Sequence, residues 1–403
     1  MQAVCYDSYG GGSASLKVIQ SNLTSNFALM FRFQGIFVFT LQFDEDQTIC
    51  LRVDRVDSPL PGGELSTSIA GSTPRFEDIF VKNGKITGEE LRDEDHVEIL
   101  VPAPGNGEML IKMEAASLNP LDWKVQKGIA RPVLPRKFPY VPVTDTAGEV
   151  VEVGPRVEKF KVGDKVITFL GGAGGGLAEY VVAKESAMAP RPPEVSAADG
   201  SCLVFAGCTA LRALTVTGGL KLDKTEPLTN VLVTAGSGGV GHYAVQLAKL
   251  GNTHITATCG ARNIEFVKSL GADEVLDYKT PEGAALKSPS GQKYDLVIHC
   301  ATGIPWSTFK ANLNTNGKVI DLTPNGGTFW NCVVNKLKFS KKQLLPLIMV
   351  PKAEEIECLV SLVKEGKLKT VIDSRYPLSR AEEGWAKIME GHATGKVVVE
   401  CLT

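Results

Sequence analysis

Between Cys202 and about Leu344, short apolar runs recur with polar, helix-forming stretches between them. Val231–Thr234, His254–Cys259, Glu274–Tyr278, Asp295–Cys300, Lys318–Leu322 and Lys336–Ser340 read as strands, and Gly241–Lys249 and Asn263–Leu270 as helices. Apolar strands at this rhythm predict a parallel sheet covered on both faces. Upstream, Val101–Ser201 is rich in Val, Gly and Pro. Its runs Glu108–Ala115, Ala147–Val153, Lys165–Phe169 and Ala178–Val182 are separated by turn signals such as Val162-Gly163-Asp164, which predicts a mostly β, partly barrel-like domain. The last stretch adds a helix over Ala353–Lys364 and strands over Thr370–Asp373 and Lys396–Glu400.

Ser21–Leu100 fits neither texture. It holds an apolar patch, a Gly/Ser/Pro stretch (Ser58–Pro74) and an acidic run (Glu89–Asp95) without a clear period, and so long a connection inside a compact domain is unusual. Phe27–Phe43 is the most apolar segment, but Arg32 and Gln34 interrupt it. It reads as a buried strand pair or a non-native segment rather than a membrane span. Met1–Gln20 lacks the basic start and apolar run of a secretory signal.

The 403 residues allow two ordinary domains, and 43% hydrophobic with 22% charged residues is normal for a soluble enzyme. A net charge of −2 gives no reason to expect nucleic acid. The 9 cysteines are scattered without a Cys-x-x-Cys pair, so free thiols in a reduced compartment are expected, not disulfides or structural zinc.

The most informative segment is Val231–Gly241, an apolar run leading into Gly236, Gly238 and Gly241 and then a helix. This is G-x-G-x-x-G with a strand before it, a helix after it and a second strand at His254–Cys259. That context predicts a pyrophosphate bound at a helix N-terminus by free amides. A carboxylate at the end of the second strand would grip the ribose 2′-hydroxyl of NAD. Thr258–Asn263 has none there, and Arg262 can pair with a 2′-phosphate. NADPH is the expected cofactor. Tyr278, ending the third strand, could lie near the adenosine or simply pack.

Ordered motifs follow one another along the chain: Ser117–Lys124 (SLNPLDWK), Asp145–Val151 (DTAGEVV), Val162–Val166 (VGDKV), the glycine loop, Ser269–Asp273 (SLGAD) and Ala393–Val397 (ATGKV). With them the chain resembles the zinc-free quinone oxidoreductase branch of the medium-chain dehydrogenase/reductase superfamily. Pro135–Pro139, Gly238–Lys249, Thr258–Asn263 and Leu276–Gly283 are similar to the plant chloroplast envelope quinone oxidoreductases and the related enone (alkenal) reductases. The resemblance implies an α/β protein: a GroES-like mostly β catalytic domain plus a Rossmann, doubly wound parallel-sheet cofactor domain. The expected division is 1–20 with 101–201 for the first part of the catalytic domain, 202–345 for the Rossmann domain and 346–403 for a return to the catalytic domain. Residues 21–100 form an anomalous insertion, either a translated intron or gene-model error without a settled fold, or a lineage-specific loop.

The resemblance also implies roles. Lys124 lies near the nicotinamide, Gly239 and Val240 hold the pyrophosphate, and Gly260, Ala261, Arg262 and Asn263 surround the 2′-phosphate. Tyr278 contacts the adenosine end, and His392 and Ala393 return to the cleft. Thr209 neighbours the nicotinamide, and Asn119 lines the same cleft. It further implies a homodimer joined by Rossmann sheet edges, or a monomer. The location implied is the chloroplast, peripheral to the inner envelope, with the cytoplasm as the alternative.

Zinc alcohol dehydrogenases of the superfamily use a catalytic Cys, a Gly-His-Glu and a four-Cys lobe. Here Thr144–Glu149 has no His and the lobe is missing, so no metal is expected. Alcohol oxidation would then lack its Lewis acid. Hydride addition to an enone or quinone needs less, because the substrate delocalises the charge itself. The expected activity is reduction of α,β-unsaturated carbonyls (enones, oxylipin ketols) or quinones by NADPH. The alternative is a non-catalytic NADPH-binding or membrane-associated structural protein. Basic residues recur at Arg131, Arg136, Lys137 and at Lys336, Lys338, Lys341, Lys342; they read as a solvated surface or as contact with an anionic membrane.

Overall fold

The computed structural model describes residues 1–5, 100–129, 140–337 and 339–401, and the backbone of strand segments within 17–86. The chain divides into two units, Met1–Gln20 with His96–Thr403, and Ser21–Asp95. In the second unit, Phe27–Arg32, Ile36–Phe43 and Ile49–Arg55 form an antiparallel three-stranded sheet, so the apolar patch is a strand pair with a third strand added.

The first unit holds two large sheets and a two-stranded antiparallel ribbon of Ala3–Cys5 and Lys17–Ile19. The strands used below are β1 (Ala3–Cys5), β2 (Glu108–Leu118), β3 (Asp145–Val153), β4 (Lys165–Phe169), β5 (Tyr180–Lys184), β6 (Met188–Pro190), β7 (Thr229–Thr234), β8 (Thr253–Cys259), β9 (Glu274–Asp277), β10 (Tyr294–His299), β11 (Leu313–Asp321), β12 (Gln343–Pro346), β13 (Ile372–Pro377) and β14 (Lys396–Glu400). The helices used below are α1 (Pro120–Gln126), α2 (Ala197–Thr217), α3 (Gly241–Leu250), α4 (Ile264–Ser269), α5 (Trp306–Asn312), α6 (Gly326–Leu337), α7 (Ala353–Lys364) and α8 (Ala381–Met389).

The catalytic sheet runs β6-β4-β3-β2-β14-β13, with β5 also on β2. The long strand β2 pairs with β3 along one side; its first half takes β5 and its second half β14 on the other. The backbone of β1 joins this region through Val4 N–H to Leu177 O at 2.7 Å. The second sheet is parallel in the order β9-β8-β7-β10-β11-β12. Its order reverses between β7 and β10, the topological switch point at which open α/β sheets bind ligands.

Both faces of the parallel sheet are buried. Val231, Val233, Ile255, Ala257, Ile298 and Ile320 face α2, α3 and α7 in the largest core cluster, while Leu232, Val297, Val319 and Phe309 fill the other face. This two-sided burial is why the strands read as continuous apolar runs. The helix α2 is long and apolar enough to cross a membrane, but Leu203, Val204, Ala206, Leu211 and Leu214 are packed into that core.

One expected strand is overturned. Lys336–Ser340 is not a strand: its start closes α6, and the sixth strand is Gln343–Pro346. The start of α6 is fixed locally, with Thr328 N–H donating to Asn325 Oδ1 and Asn325 N–H to Thr328 Oγ1, both at 3.2 Å. Such reciprocal capping stabilises a helix entry. The alternation Lys-Leu-Lys-Phe-Ser imitated a strand only because it spans a helix end and the turn after it.

Candidate functional site

The glycine loop joins β7 to α3, as the motif requires. Gly236 N–H donates to Thr258 O at 2.7 Å and Ala235 N–H to Thr258 Oγ1 at 3.1 Å, so the loop leaves β7 tied to β8. Gly238 N–H closes on Ala235 O, and His242 and Ala244 N–H on Gly238 O and Val240 O. The amides of Ser237, Gly239 and Val240 have no acceptor among the described residues. Unbonded amides at the positive end of a ten-residue helix suit a diphosphate. Gly241 is required sterically and Gly236 is tightly enclosed. A Cβ on Gly241 would stand 2.1 Å from Ala235 O, and one on Gly236 3.0 Å from Ala257 Cβ.

At the end of β8 the chain makes a short 3-10 turn, Ala261–Asn263, that exposes Arg262. Arg262 Nη2 donates to His392 O at 2.6 Å, and Asn263 Nδ2 to Thr394 Oγ1 at 3.1 Å. Tyr278 follows β9 by one residue, its ring beside Gly260; a Cβ on Gly260 would lie 3.6 Å from Tyr278 Cε1. The structure thus brings Gly260, Ala261, Arg262, Asn263, Tyr278, His392 and Ala393 together one strand away from Gly236, Gly238, Gly239, Val240 and Gly241. The stretch Thr258–Asn263 brings donors and no carboxylate of its own, while Asp373 holds Thr394 N–H at 2.7 Å behind it.

The returning chain is fastened to the loop and to α3. Gly395 N–H donates to Ser237 O at 2.8 Å. Gln246 exchanges two bonds with the Lys369 backbone, and Tyr243 Oη meets Thr370 Oγ1 at 2.9 Å. His242 is fully buried. Its Nδ1 meets Gly238 O at 3.0 Å and its Nε2 receives Val371 N–H at 3.3 Å, so the proton is assigned to Nδ1. Burial pushes its pKa down to about 4. This neutral histidine is a structural clasp beside the phosphate loop.

The expected cleft residues divide. Asn119 caps α1 and is 4% exposed. Its Nδ2 donates to Asp145 Oδ2 at 2.8 Å and Ser117 O at 3.3 Å, and its Oδ1 accepts from Lys396 Nζ at 2.6 Å. Its amide is fully bonded inside the protein. Thr209, in α2, is buried with its hydroxyl 3.3 Å from Met349 Sδ. Lys124 sits on α1 with its ammonium 5.7 Å from the Trp123 ring; the structure shows no contact between it and the glycine loop.

Sequence reasoning did not single out Asp122, Asp145 or Lys396 as site residues, yet they surround Asn119. Lys396 Nζ also donates to Leu118 O at 3.0 Å, Asn119 N–H to Asp122 Oδ2 at 2.7 Å, and Phe205 N–H to Asp145 Oδ2 at 3.1 Å. All four side chains are at most 7% exposed. Burial, then the neighbouring Asp145, pushes the Asp122 carboxyl up to about 7. Burial also raises Asp145, against the pull of Lys396. The available signal was Lys396 itself, a lysine opening the apolar run Val397-Val398-Val399.

Asp145 is held by Asn119, Thr144 and Phe205, and no three metal-ligating side chains converge among the described residues. Of the basic residues, Arg131, Arg136 and Lys137 and the side chains of Lys336 and Lys338 lie outside the described residues. Lys342 Nζ donates to Lys310 O at 2.7 Å and Lys293 Nζ to the neighbouring Ala311 O, so these lysines meet at the end of α5; burial, then Lys293 and Lys310, lower the Lys342 pKa.

Residues 105–193 match the family model for the alcohol dehydrogenase GroES-like domain, and residues 270–399 the one for zinc-binding dehydrogenase. The chain is 65% identical over 307 residues to the chloroplast envelope quinone oxidoreductase homolog of Arabidopsis thaliana, covering 76% of this chain and 93% of that protein. It is 63% identical over 306 residues to the chloroplastic quinone-oxidoreductase homolog of Spinacia oleracea, with the same coverage. A quinone oxidoreductase structure from Coxiella burnetii superposes with a TM-score of 0.72 at 26% identity, covering 100% of this chain and 99% of that one. These matches fit the two-sheet architecture, the glycine loop at the switch point and the fastened return segment. The chain is an oxidoreductase of the nicotinamide-using kind, and it belongs to the quinone oxidoreductase branch of the medium-chain dehydrogenase/reductase superfamily.

Proposed function

We propose that the chain is an NADPH-dependent reductase of α,β-unsaturated carbonyls, including oxylipin ketols, or of quinones, working without zinc. One observation carries the cofactor assignment: the unbonded amides of Ser237, Gly239 and Val240 stand one strand from Arg262, at a strand end with no carboxylate. The loop amides would hold the diphosphate. Arg262, with Gly260, Ala261 and Asn263, would hold the 2′-phosphate, and Tyr278 would flank the adenosine. Lys124 and Thr209 are the candidates facing the nicotinamide and substrate.

Held by the loop amides and Arg262, a reduced nicotinamide cofactor would supply the hydride for the β-carbon of an enone, and water would supply the proton. The protein's own part is to orient the reactants and exclude other geometries. No general-acid dyad is required, since the substrate carries the developing charge.

The test is turnover with NADPH and NADH over simple enones, ketols and quinones, for the wild type and Arg262→Gln. A hydrogen bond to a charged group is worth about 1.5–3 kcal/mol, so R262Q should weaken NADPH use by roughly ten- to a hundredfold and leave NADH nearly unchanged. Equal loss with both cofactors refutes the 2′-phosphate assignment. Tight NADPH binding without turnover on any substrate supports the alternative, a non-catalytic binding protein.

The relatives' names also support a chloroplast location; peripheral attachment to the inner envelope would then run through the lysine surface. Within Ser21–Leu100, Ser21–Asp95 forms a separate unit, and the chloroplast relatives match 76% of the chain, which supports reading the segment as a translated intron or gene-model error over a lineage-specific loop. A mature transcript encoding it would end that reading.

A further inference from the structure

Three sequence motifs far apart in the chain meet in one buried place. Asn119 and Asp122 come from the start of α1, Asp145 from the first residue of β3, and Lys396 from the first residue of β14. Lys396 is 2% exposed. Its ammonium holds Asn119 Oδ1 at 2.6 Å and Leu118 O at 3.0 Å, the two residues before α1. Its stem packs against the phosphate loop, where a Cβ on Gly239 would lie 3.3 Å from Lys396 Cδ. One residue earlier, Gly395 N–H donates to Ser237 O of the same loop. Gly395 can do so because it adopts φ +85° with Val371 O where a side chain would be. A single side chain therefore spans from the loop to the entry of the helix that carries Lys124.

A buried ammonium is costly unless its protons are accepted and its charge is balanced. Both conditions hold. Asn119 and Leu118 accept two protons, and Asp145, itself bonded to Asn119 Nδ2 at 2.8 Å, supplies the opposite charge. Asn119 is thus held from both sides, with its Oδ1 on the cation and its Nδ2 on the anion. This fixes its rotamer and the capping of α1, where Asn119 N–H meets Asp122 Oδ2. A methionine could fill the same volume, so packing alone does not explain a lysine here.

We propose that Lys396 is a positioning residue: a strut that sets α1, with Lys124, in register with the diphosphate loop. Lys396 touches neither substrate nor cofactor in this role and acts through Asn119. The inference rests on the reading of the loop as the cofactor site.

The test uses the full chain and Lys396→Gln, Asn119→Leu and the double variant. NADPH affinity is read by fluorescence titration, turnover by steady-state kinetics and local opening by amide exchange. K396Q should lower kcat at least tenfold while changing NADPH Kd less than about fivefold. The double variant should lose no more than the worse single variant, because both residues act through one connection. Amide exchange should rise together at 237–240 and 121–126. Should the two unbalanced carboxylates unfold K396Q, the charge-balanced K396Q/D145N is measured against D145N alone. An unchanged kcat, a loss confined to Kd, additive losses, or exchange that rises at only one of the two segments overturns the strut. If the wild type fails to bind NADPH yet K396Q opens both segments, the strut stands and the cofactor reading falls.

Discussion

Gly241→Ala perturbs the phosphate loop by one methyl group at its tightest point. The new Cβ would lie 2.1 Å from Ala235 O, 2.8 Å from Ala235 C and 2.9 Å from Gly236 Cα. All three are backbone atoms, so no side chain can swing away. Ordinary contact begins near 3.4 Å, which requires the strand exit and the helix start to part by about 1.3 Å. Ala235 has little room to yield. It already sits at φ +52°, a left-handed conformation costing about 1–2 kcal/mol for a non-glycine residue, and its carbonyl accepts Gly238 N–H at 2.9 Å. Overpacking of about 1–3 kcal/mol plus a hydrogen bond of about 1 kcal/mol gives a destabilisation of about 2–4 kcal/mol. Gly238→Ala is the control. Its Cβ would lie 3.3 Å from the same carbonyl, and a few tenths of an ångström of adjustment should cost under about 1 kcal/mol. Denaturant unfolding of both variants, with and without NADPH, reads the difference. G241A should unfold well before G238A and gain less from NADPH. Equal midpoints for the two variants would refute the steric account of this loop.

Other predictions concern charge and surface. Folding raises the Asp122 pKa from 3.8 to about 7, so its contribution is fully present below pH 3.8 and is lost as pH rises through about 7. Asp122→Asn should therefore gain on the wild type by up to about 4 kcal/mol between those limits, and parallel stability–pH curves would contradict this. The edge strand β12 is open, with Phe339 93%, Ile348 78% and Val350 64% exposed around it; an uncovered edge invites pairing. Light scattering should show a homodimer that Phe339→Asp/Ile348→Asp converts to a monomer, and a monomeric wild type would refute the edge as an interface. Lys293, Lys310 and Lys342 form one cationic surface, and at about 1 kcal/mol per lysine they should confer salt-sensitive co-sedimentation with anionic vesicles. Retention of that binding by K310E/K342E would place attachment elsewhere.

Local pattern made most of the architecture readable. Lys165–Phe169, Ala353–Lys364 and Lys396–Glu400 begin and end where the sequence places them. The front of β11 was not legible, because Asn314, Thr315 and Asn316 are polar and the strand shows only from Lys318 onward. The glycine loop and the Arg262 turn could be read because their chemistry lies in contiguous residues. The buried network could not: residues 119, 122, 145 and 396 become neighbours only through the pairing of β2 with β3 and β14. Asn119 is placed at the cleft by the resemblance; the commitment of its amide to Asp145 and Lys396 shows only in the folded chain.

The placement of β14 has a consequence for biogenesis. Residues 396–400 lie between β2 and β13 in the interior of the GroES-like sheet, yet a ribosome makes them only after the whole parallel sheet. The parallel sheet, finished by residue 346, can settle on the nascent chain. The sheet that holds β2 must wait with an unfilled slot until β14 has been made. Deleting residues 396–400 would thus leave a normal nucleotide module attached to an open, aggregation-prone sheet, and quality control would act on that sheet.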